Sequence, residues 1–152
     1  MTPATAAHVE LTDLSEELGY LRLCTPDLER DMQQSLMRHG QLTPILARRG
    51  TGGFQLVDGF KRLRSARALS WSHLSVSTLD DDVNAKLLVW QCNRGQELTE
   101  LEEAWVVRAL YREDRLPQPR IAQLFGRHKS WVSRRLMLAE GLDDEVQALD
   151  EF

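Results

Sequence analysis

The 152-residue sequence predicts an α+β protein, with a small mixed α/β domain over 1–80 and an all-helical domain over 81–152. Three observations lead there. Strand-like apolar runs and glycine-rich turns occupy the first half, every signal from Leu98 onward is helical, and charge alternates in sign in blocks along the chain. Hydrophobic residues make up 42% of the sequence, enough for a packed core and too many for a disordered tail.

Taken in order, Thr25-Pro26-Asp27 has the form of an N-cap, a first-turn proline and a first-turn acid. Leu28, Met32, Leu36 and Met37 follow at helical spacing until Gly40 stops the helix. Pro44–Arg48 and Phe54–Val57, split by Gly50-Thr-Gly-Gly53, predict a hairpin. After Gly59 the pattern is helical from Lys61 to Leu69, and Leu74–Leu79 alternates as a half-buried strand does. Asp81–Gln91 predicts a helix, with Asp81 and Asp82 suited to its first turn. Thr99-Glu-Leu-Glu102 is a capping box, and the stripe of Leu101, Ala104, Trp105, Leu110 and Tyr111 continues its helix. Leu116-Pro117 ends that helix and opens another.

No apolar run approaches the ~18 residues that span a bilayer, and the first ten residues, MTPATAAHVE, lack a basic region followed by an apolar one. Cys24 and Cys92 lie far apart and suit thiols in a reducing compartment. The four histidines are scattered singly, so no metal ligands are assigned.

The formal net charge of −4 conceals strong segregation. Residues 1–33 carry seven acids and two bases, 38–67 one acid (Asp58) and seven bases, and 80–103 seven acids and two bases. Residues 108–135 carry eight bases and two acids, and 140–151 six acids and no base. Two basic islands in an acidic chain, each on a turn-to-helix signal, point to anionic partners.

The second island has the punctuation of a helix-turn-helix. Counting Gln118 as first, Ile121 and Ala122 are fourth and fifth, Gly126 ninth and Val132 fifteenth. Ala122 is small where the second helix crosses, Gly126 permits the turn, and Ile121, Phe125, Val132 and Leu136 bury the contact. The remaining face offers Gln118, His128, Lys129, Ser130, Ser133 and Arg134 to base edges in a major groove. Arg120, Arg127 and Arg135 are placed as phosphate contacts, which position without specifying. Trp131 suits either base stacking or packing against the preceding helix.

The first island centres on Val57-Asp-Gly-Phe-Lys-Arg-Leu-Arg-Ser-Ala66. A glycine at a strand-to-helix junction lets backbone N–H groups approach an anion, with Lys61, Arg62 and Arg64 to wrap it. An arginine-rich surface helix explains the same residues.

Gly40-Gln-Leu-Thr-Pro-Ile45, a hairpin, this segment, a capping-box helix and a helix-turn-helix, in that order, resemble the ParB family of chromosome- and plasmid-partition proteins. The family pattern reads GLxQPI, then (I/V)xGERRxRA, then ENxQRxxLxPxEEA, and the resemblance covers about residues 9–147. It implies a clamp that binds CTP, with or without Mg2+. Gly59, Lys61, Arg62, Arg64, Ser65 and Ala66 would line the phosphates, Thr43 and Pro44 would lie near the base, and Asn93 would serve with a one-residue shift. It implies double-stranded DNA as a partner, a homodimer through the N-terminal domain, a partition ATPase, a cytoplasmic, nucleoid-associated location and no membrane.

The sequence departs from the family pattern at two places. Phe60 stands where the family has glutamate, and Gln91-Cys-Asn-Arg-Gly95 stands where ENxQR belongs. No catalytic residue is therefore assigned, and CTP is expected to act as an effector with negligible turnover. Glutamate in place of Phe60 is expected to restore slow hydrolysis at most, with the weakened Gln91–Gly95 segment still opposing it. Lys61 keeps the charge of the family arginine and loses its fork. Two other classes remain open: a nucleotide-independent transcriptional regulator or transposon accessory protein, and a nuclease. Sulfiredoxin-like chemistry would need a cysteine in the loop, and Phe60-Lys61-Arg62 has none.

Overall fold

The structure is a computed structural model that describes residues 6–50, 52–79, 83–93 and 98–150, with side chains described as far as 141. The chain divides into two compact units, Met1–Asn93 and Arg94–Phe152.

The first unit contains β1 (Ala7–Glu10), β2 (Leu14–Ser15), α1 (Pro26–His39), β3 (Ile45–Gly50), β4 (Gly53–Asp58), α2 (Phe60–Ala68), β5 (His73–Leu79) and α3 (Ala85–Cys92). Short 3₁₀ turns cover Leu11–Asp13 and Glu17–Leu21. The strands form one five-stranded sheet in the order β1-β5-β3-β4-β2. β3 pairs antiparallel with β4 through Gly50↔Gly53 and parallel with β5 through Ile45↔Val76, so the connection from β3 through β4 and α2 returns the chain beside its start. Ile45, Ala47, Leu56, Val57, Leu63 and Val76 are fully buried. Each of the larger side chains contributes ~1.5–3 kcal/mol on leaving water, and together they fix β3, β4, α2 and β5 around one core.

The punctuation read from sequence has direct structural counterparts. Thr25 Oγ1 accepts the Leu28 N–H at 3.3 Å at the start of α1, and Gly40, at φ 64, ends it. β5 buries Leu74, Val76 and Leu79 on alternating or near-alternating positions. β1 and β2 carry too few residues to show a period of two, which is why no strand was assigned to them individually. α3 starts later than the pattern suggested, because Asn84 caps it by accepting the Lys86 N–H at 2.9 Å. Asp81 and Asp82 lie outside the described residues. A division at 80/81 would place α3 with the second half, whereas its contacts with β4 and the Glu17–Leu21 turn place it in the first unit.

The second unit contains α4 (Glu100–Arg112), α5 (Gln118–Phe125) and α6 (Lys129–Asp150). The capping box forms: Thr99 Oγ1 accepts the Glu102 N–H at 3.2 Å while Glu102 Oε1 accepts the Thr99 N–H at 3.1 Å. Pro117 caps α5, and Gly126 closes it in the left-handed region at φ 64. The Arg127 N–H then bonds the Ala122 carbonyl at 2.9 Å, which completes the turn into α6. Val106, Val107 and Leu110 of α4, Ile121 and Phe125 of α5, and Val132, Leu136 and Ala139 of α6 are buried. No helix among the described residues is long and apolar enough to cross a membrane.

Candidate functional site

Each basic island contains a left-handed glycine that precedes a helix. At the first, β4 ends at Asp58, Gly59 takes φ 108, and α2 begins at Phe60. A Cβ on Gly59 would lie 2.4 Å from Ile45 Cγ2, so the position is closed to other residues by backbone angle and by packing. Asn93, 4% exposed, fixes the strand end from beneath: its Nδ2 donates to the Val57 carbonyl at 3.2 Å and to the Val89 carbonyl.

Around this turn the structure brings together Thr43, Asp58, Gly59 and Arg62. Arg62 donates to the Thr43 carbonyl at 2.6 Å and to Thr43 Oγ1 at 3.0 Å, and its other terminal nitrogen lies 4.0 Å from Asp58 Oδ2. Burial raises the Asp58 pKa against the pull of Arg62, Arg22 and Lys61, and burial lowers that of Arg62 against Asp58. A 4.0 Å contact does not repay the desolvation of both charges. Pro44 is half-buried beside Thr43, and Lys61 is half-buried on the first turn of α2.

The other predicted phosphate residues point elsewhere. Ser65 and Ala66 are fully buried on the face of α2 that packs on α1, where Ser65 Oγ donates to the Glu29 carbonyl at 3.4 Å. Arg64 turns to Glu16 at 3.4 Å and Glu29 at 4.0 Å, and Arg67 pairs with Glu16 at 3.2 Å. Burial disfavours the Arg64 cation, but Cys24 and Glu16 more than offset this and raise its pKa. Burial and Glu29 push the Cys24 thiol pKa up. Sequence reading missed Glu16, Gly19, Cys24 and Glu29. A Cβ on Gly19 would lie 3.1 Å from an Arg64 nitrogen and 3.4 Å from Phe60, so that glycine lets both side chains approach. The only available signal was the excess of acids over 1–33 opposite the bases of 38–67.

In the second unit, Arg120, Arg127, His128, Lys129, Ser130, Ser133 and Arg134 are exposed and Gln118 is half-buried. His128 caps α6: its Nδ1 accepts the Ser130 N–H at 3.2 Å. Ser130, Ser133, Arg134 and Met137 continue one open face at helical spacing, with Met137 69% exposed. Trp131 is buried, with its ring 5.2 Å from that of Phe125, which favours packing over base stacking. Arg135 lies over the Trp131 ring at 4.9 Å and pairs with Glu103 at 3.4 Å, with its side chain 15% exposed. It is thus engaged inside the unit; Arg127 also lies over the Trp131 ring, at 5.5 Å, and Arg120 donates to Gln123 at 3.0 Å, but both remain exposed.

No protein-family profile matches the chain. It is 29% identical over 120 residues to a nucleoid occlusion protein of Geobacillus kaustophilus, covering 77% of this chain and 42% of that protein. The corresponding protein of Oceanobacillus iheyensis is 29% identical over 122 residues, covering 78% and 42%. The chain spans less than half the length of the curated relatives it matches. Among solved structures, it resembles the C-terminally truncated chromosome-partitioning protein ParB of Caulobacter crescentus complexed with CTP-γ-S. The identity there is 27% and the TM-score 0.53, over 95% of this chain and 83% of that one. The chain is ParB-like. The fold of a pNOB8-like ParB N-domain agrees, with a TM-score of 0.56 at 22% identity over 82% of this chain and 48% of that one.

Within this ParB-like unit, Phe60 is a core residue at 4% exposure, packed toward Gly19. A glutamate there would place a carboxylate in the core, a desolvation cost that opposes the change. Arg94 and Gly95 of the Gln91–Gly95 segment lie outside the described residues.

The contrast between Arg134 and Arg135 is testable by thermal or denaturant unfolding. Arg135→Ala removes a half-buried ion pair and a cation–π contact and is expected to cost about 1–2 kcal/mol. Arg134→Ala is expected to stay within about 0.5 kcal/mol of wild type.

Proposed function

We propose that this ParB-like chain is a site-specific DNA-binding protein that takes CTP at the Gly59 turn and acts in plasmid or chromosome partition or in nucleoid occlusion. The observation that carries the reading is a pair of turns with a left-handed glycine, Gly59 at φ 108 as the N-cap of α2 and Gly126 at φ 64 as the C-cap of α5, each followed by a helix with cations at its start. Both helix starts direct backbone N–H groups and side-chain charge at the same place, which suits anions.

The residues at the first turn fit a polyphosphate. Gly59 carries the chain from β4 into α2, Lys61 and Arg62 supply charge, Thr43 and Pro44 would border the base, and Asn93 holds the strand end. Bound CTP supplies a polyanion whose affinity for one conformation over another can shift a population. Magnesium, where it accompanies a nucleotide, is held chiefly by the phosphates with one or two carboxylates, and Asp58 is the carboxylate at this turn. A homodimer through the first unit, a partition ATPase as partner and a cytoplasmic, nucleoid-associated location complete the proposal.

At the second turn, α5, Gly126 and α6 act as a helix-turn-helix. Lys129, Ser130, Ser133 and Arg134 present the base-reading face, with Gln118 and His128 at its edge, and Arg120 and Arg127 meet phosphates. A second reading, a DNA-binding regulator without nucleotide control, draws on one observation: Arg62 and Arg64 already have carboxylate neighbours in Asp58, Glu16 and Glu29.

Two experiments separate these readings. CTP, and not ATP, GTP or UTP, is expected to raise the melting temperature of the wild type, and Arg62→Ala is expected to abolish the shift. At 100-fold excess over Kd the stabilisation is about 2.7 kcal/mol. No shift with any nucleotide would favour the regulator. For DNA, Arg134→Ala is expected to cost ~1–3 kcal/mol on the preferred duplex and relax specificity there. Arg120→Ala is expected to weaken all duplexes alike and lower the salt-dependence slope by about 1. Identical salt titrations for both variants would refute the division into base and phosphate contacts.

A further inference from the structure

The Gly59 turn already holds an anion that belongs to the chain. The Asp58 carboxylate lies 4.0 Å from Arg62, and the charges of Arg62, Arg22 and Lys61 all act on it. Arg62, the cation best placed to meet a ligand, is held on both sides. One terminal nitrogen donates to Thr43 at 2.6 and 3.0 Å, and the other lies 4.0 Å from Asp58. A guanidinium beside a left-handed glycine, with two further cations near it, is the kind of group a phosphate oxygen would use.

We propose that Asp58 is a tethered competitor, whose carboxylate stands where a phosphate oxygen of the nucleotide would sit and which the ligand must displace to bind. The proposal rests on the CTP reading above and adds to it a regulator of the same site. Asp58 is well suited to yield. Its side chain is 30% exposed, its contact with Arg62 is long, and it occupies the turn at a desolvation cost. A phosphate group brings more charge and a geometry that matches the guanidinium fork. The carboxylate thus lowers affinity for weak anions and holds Arg62 in place until a polyphosphate arrives. As pH falls through its raised pKa, Asp58 takes up a proton and loses its charge, so the competition fades on the acid side.

The test is isothermal titration of the full chain with CTP at neutral pH. It compares wild type, Asp58→Asn and Asp58→Glu, with far-UV circular dichroism and melting curves as folding controls. Asp58→Ser substitutes for Asp58→Asn if that variant is not folded. The neutral variant is expected to bind CTP about tenfold more tightly than wild type, the scale of one screened like-charge contact removed. Asp58→Glu is expected to gain nothing. The difference between wild type and the neutral variant is expected to shrink as pH is lowered, a comparison in which the titration of CTP itself cancels. CTP binding by wild type with equal or weaker binding by the neutral variant would overturn the competitor while leaving the CTP reading intact. Absence of CTP binding in every variant would overturn both.

Discussion

At the end of β4 the backbone turns through Gly59 at φ 108, and a Cβ there would lie 2.4 Å from Ile45, a fully buried residue of β3. This close approach lets the first residue of α2, Phe60, enter the core while Lys61 and Arg62 remain half-exposed at the helix start. The same contact ties the sheet to the loop before β3, because Arg62 reaches back to both the carbonyl and hydroxyl oxygens of Thr43. A larger residue at 59 would push apart β3 and α2 and with them the groups that would meet an anion. Core packing and the placement of two cations therefore meet at one missing side chain.

Charge organises what remains. The acidic block of 1–33 and the basic block of 38–67 are not independent solvated surfaces, because Glu16 and Glu29 take up Arg64 and Arg67. These partly exposed pairs contribute little stability individually, but they decide which cations face outward. In the second unit Arg135 is likewise drawn inward by Glu103 and Trp131, and Arg134, its neighbour in sequence, stays exposed. Adjacent arginines on a helix are about 100° apart, and that rotation separates the paired Arg135 from the exposed Arg134.

The sequence was most informative where a residue has few conformational options. Thr25-Pro26, Gly40, the Gly50–Gly53 turn, the Thr99–Glu102 box and Gly126 each mark a boundary found in the structure. Their backbone angles and cap hydrogen bonds are set locally, so a local pattern reveals them. Ile121, Phe125, Val132 and Leu136 were legible for a related reason, since their period of burial is that of a helix. Partnerships between distant segments were not legible. Nothing near Ser65 or Arg64 in sequence shows that one packs on α1 and the other turns to Glu16, 48 residues away. β1 and β2 exist because β5 and β4 supply hydrogen-bonding edges, which short segments cannot announce.

The central proposal is that the cationic helix starts that follow the Gly59 and Gly126 turns receive two different anions. Backbone amide chemical shifts recorded during separate titrations with CTP and with duplex DNA carrying the preferred site test it most directly. The account predicts that CTP moves the amides of Thr43 and Gly59–Arg62 most strongly, and that DNA moves those of Arg127–Arg134. CTP shifts confined to Arg127–Arg134, or saturating CTP that leaves Thr43 and Gly59–Arg62 unmoved, would contradict it.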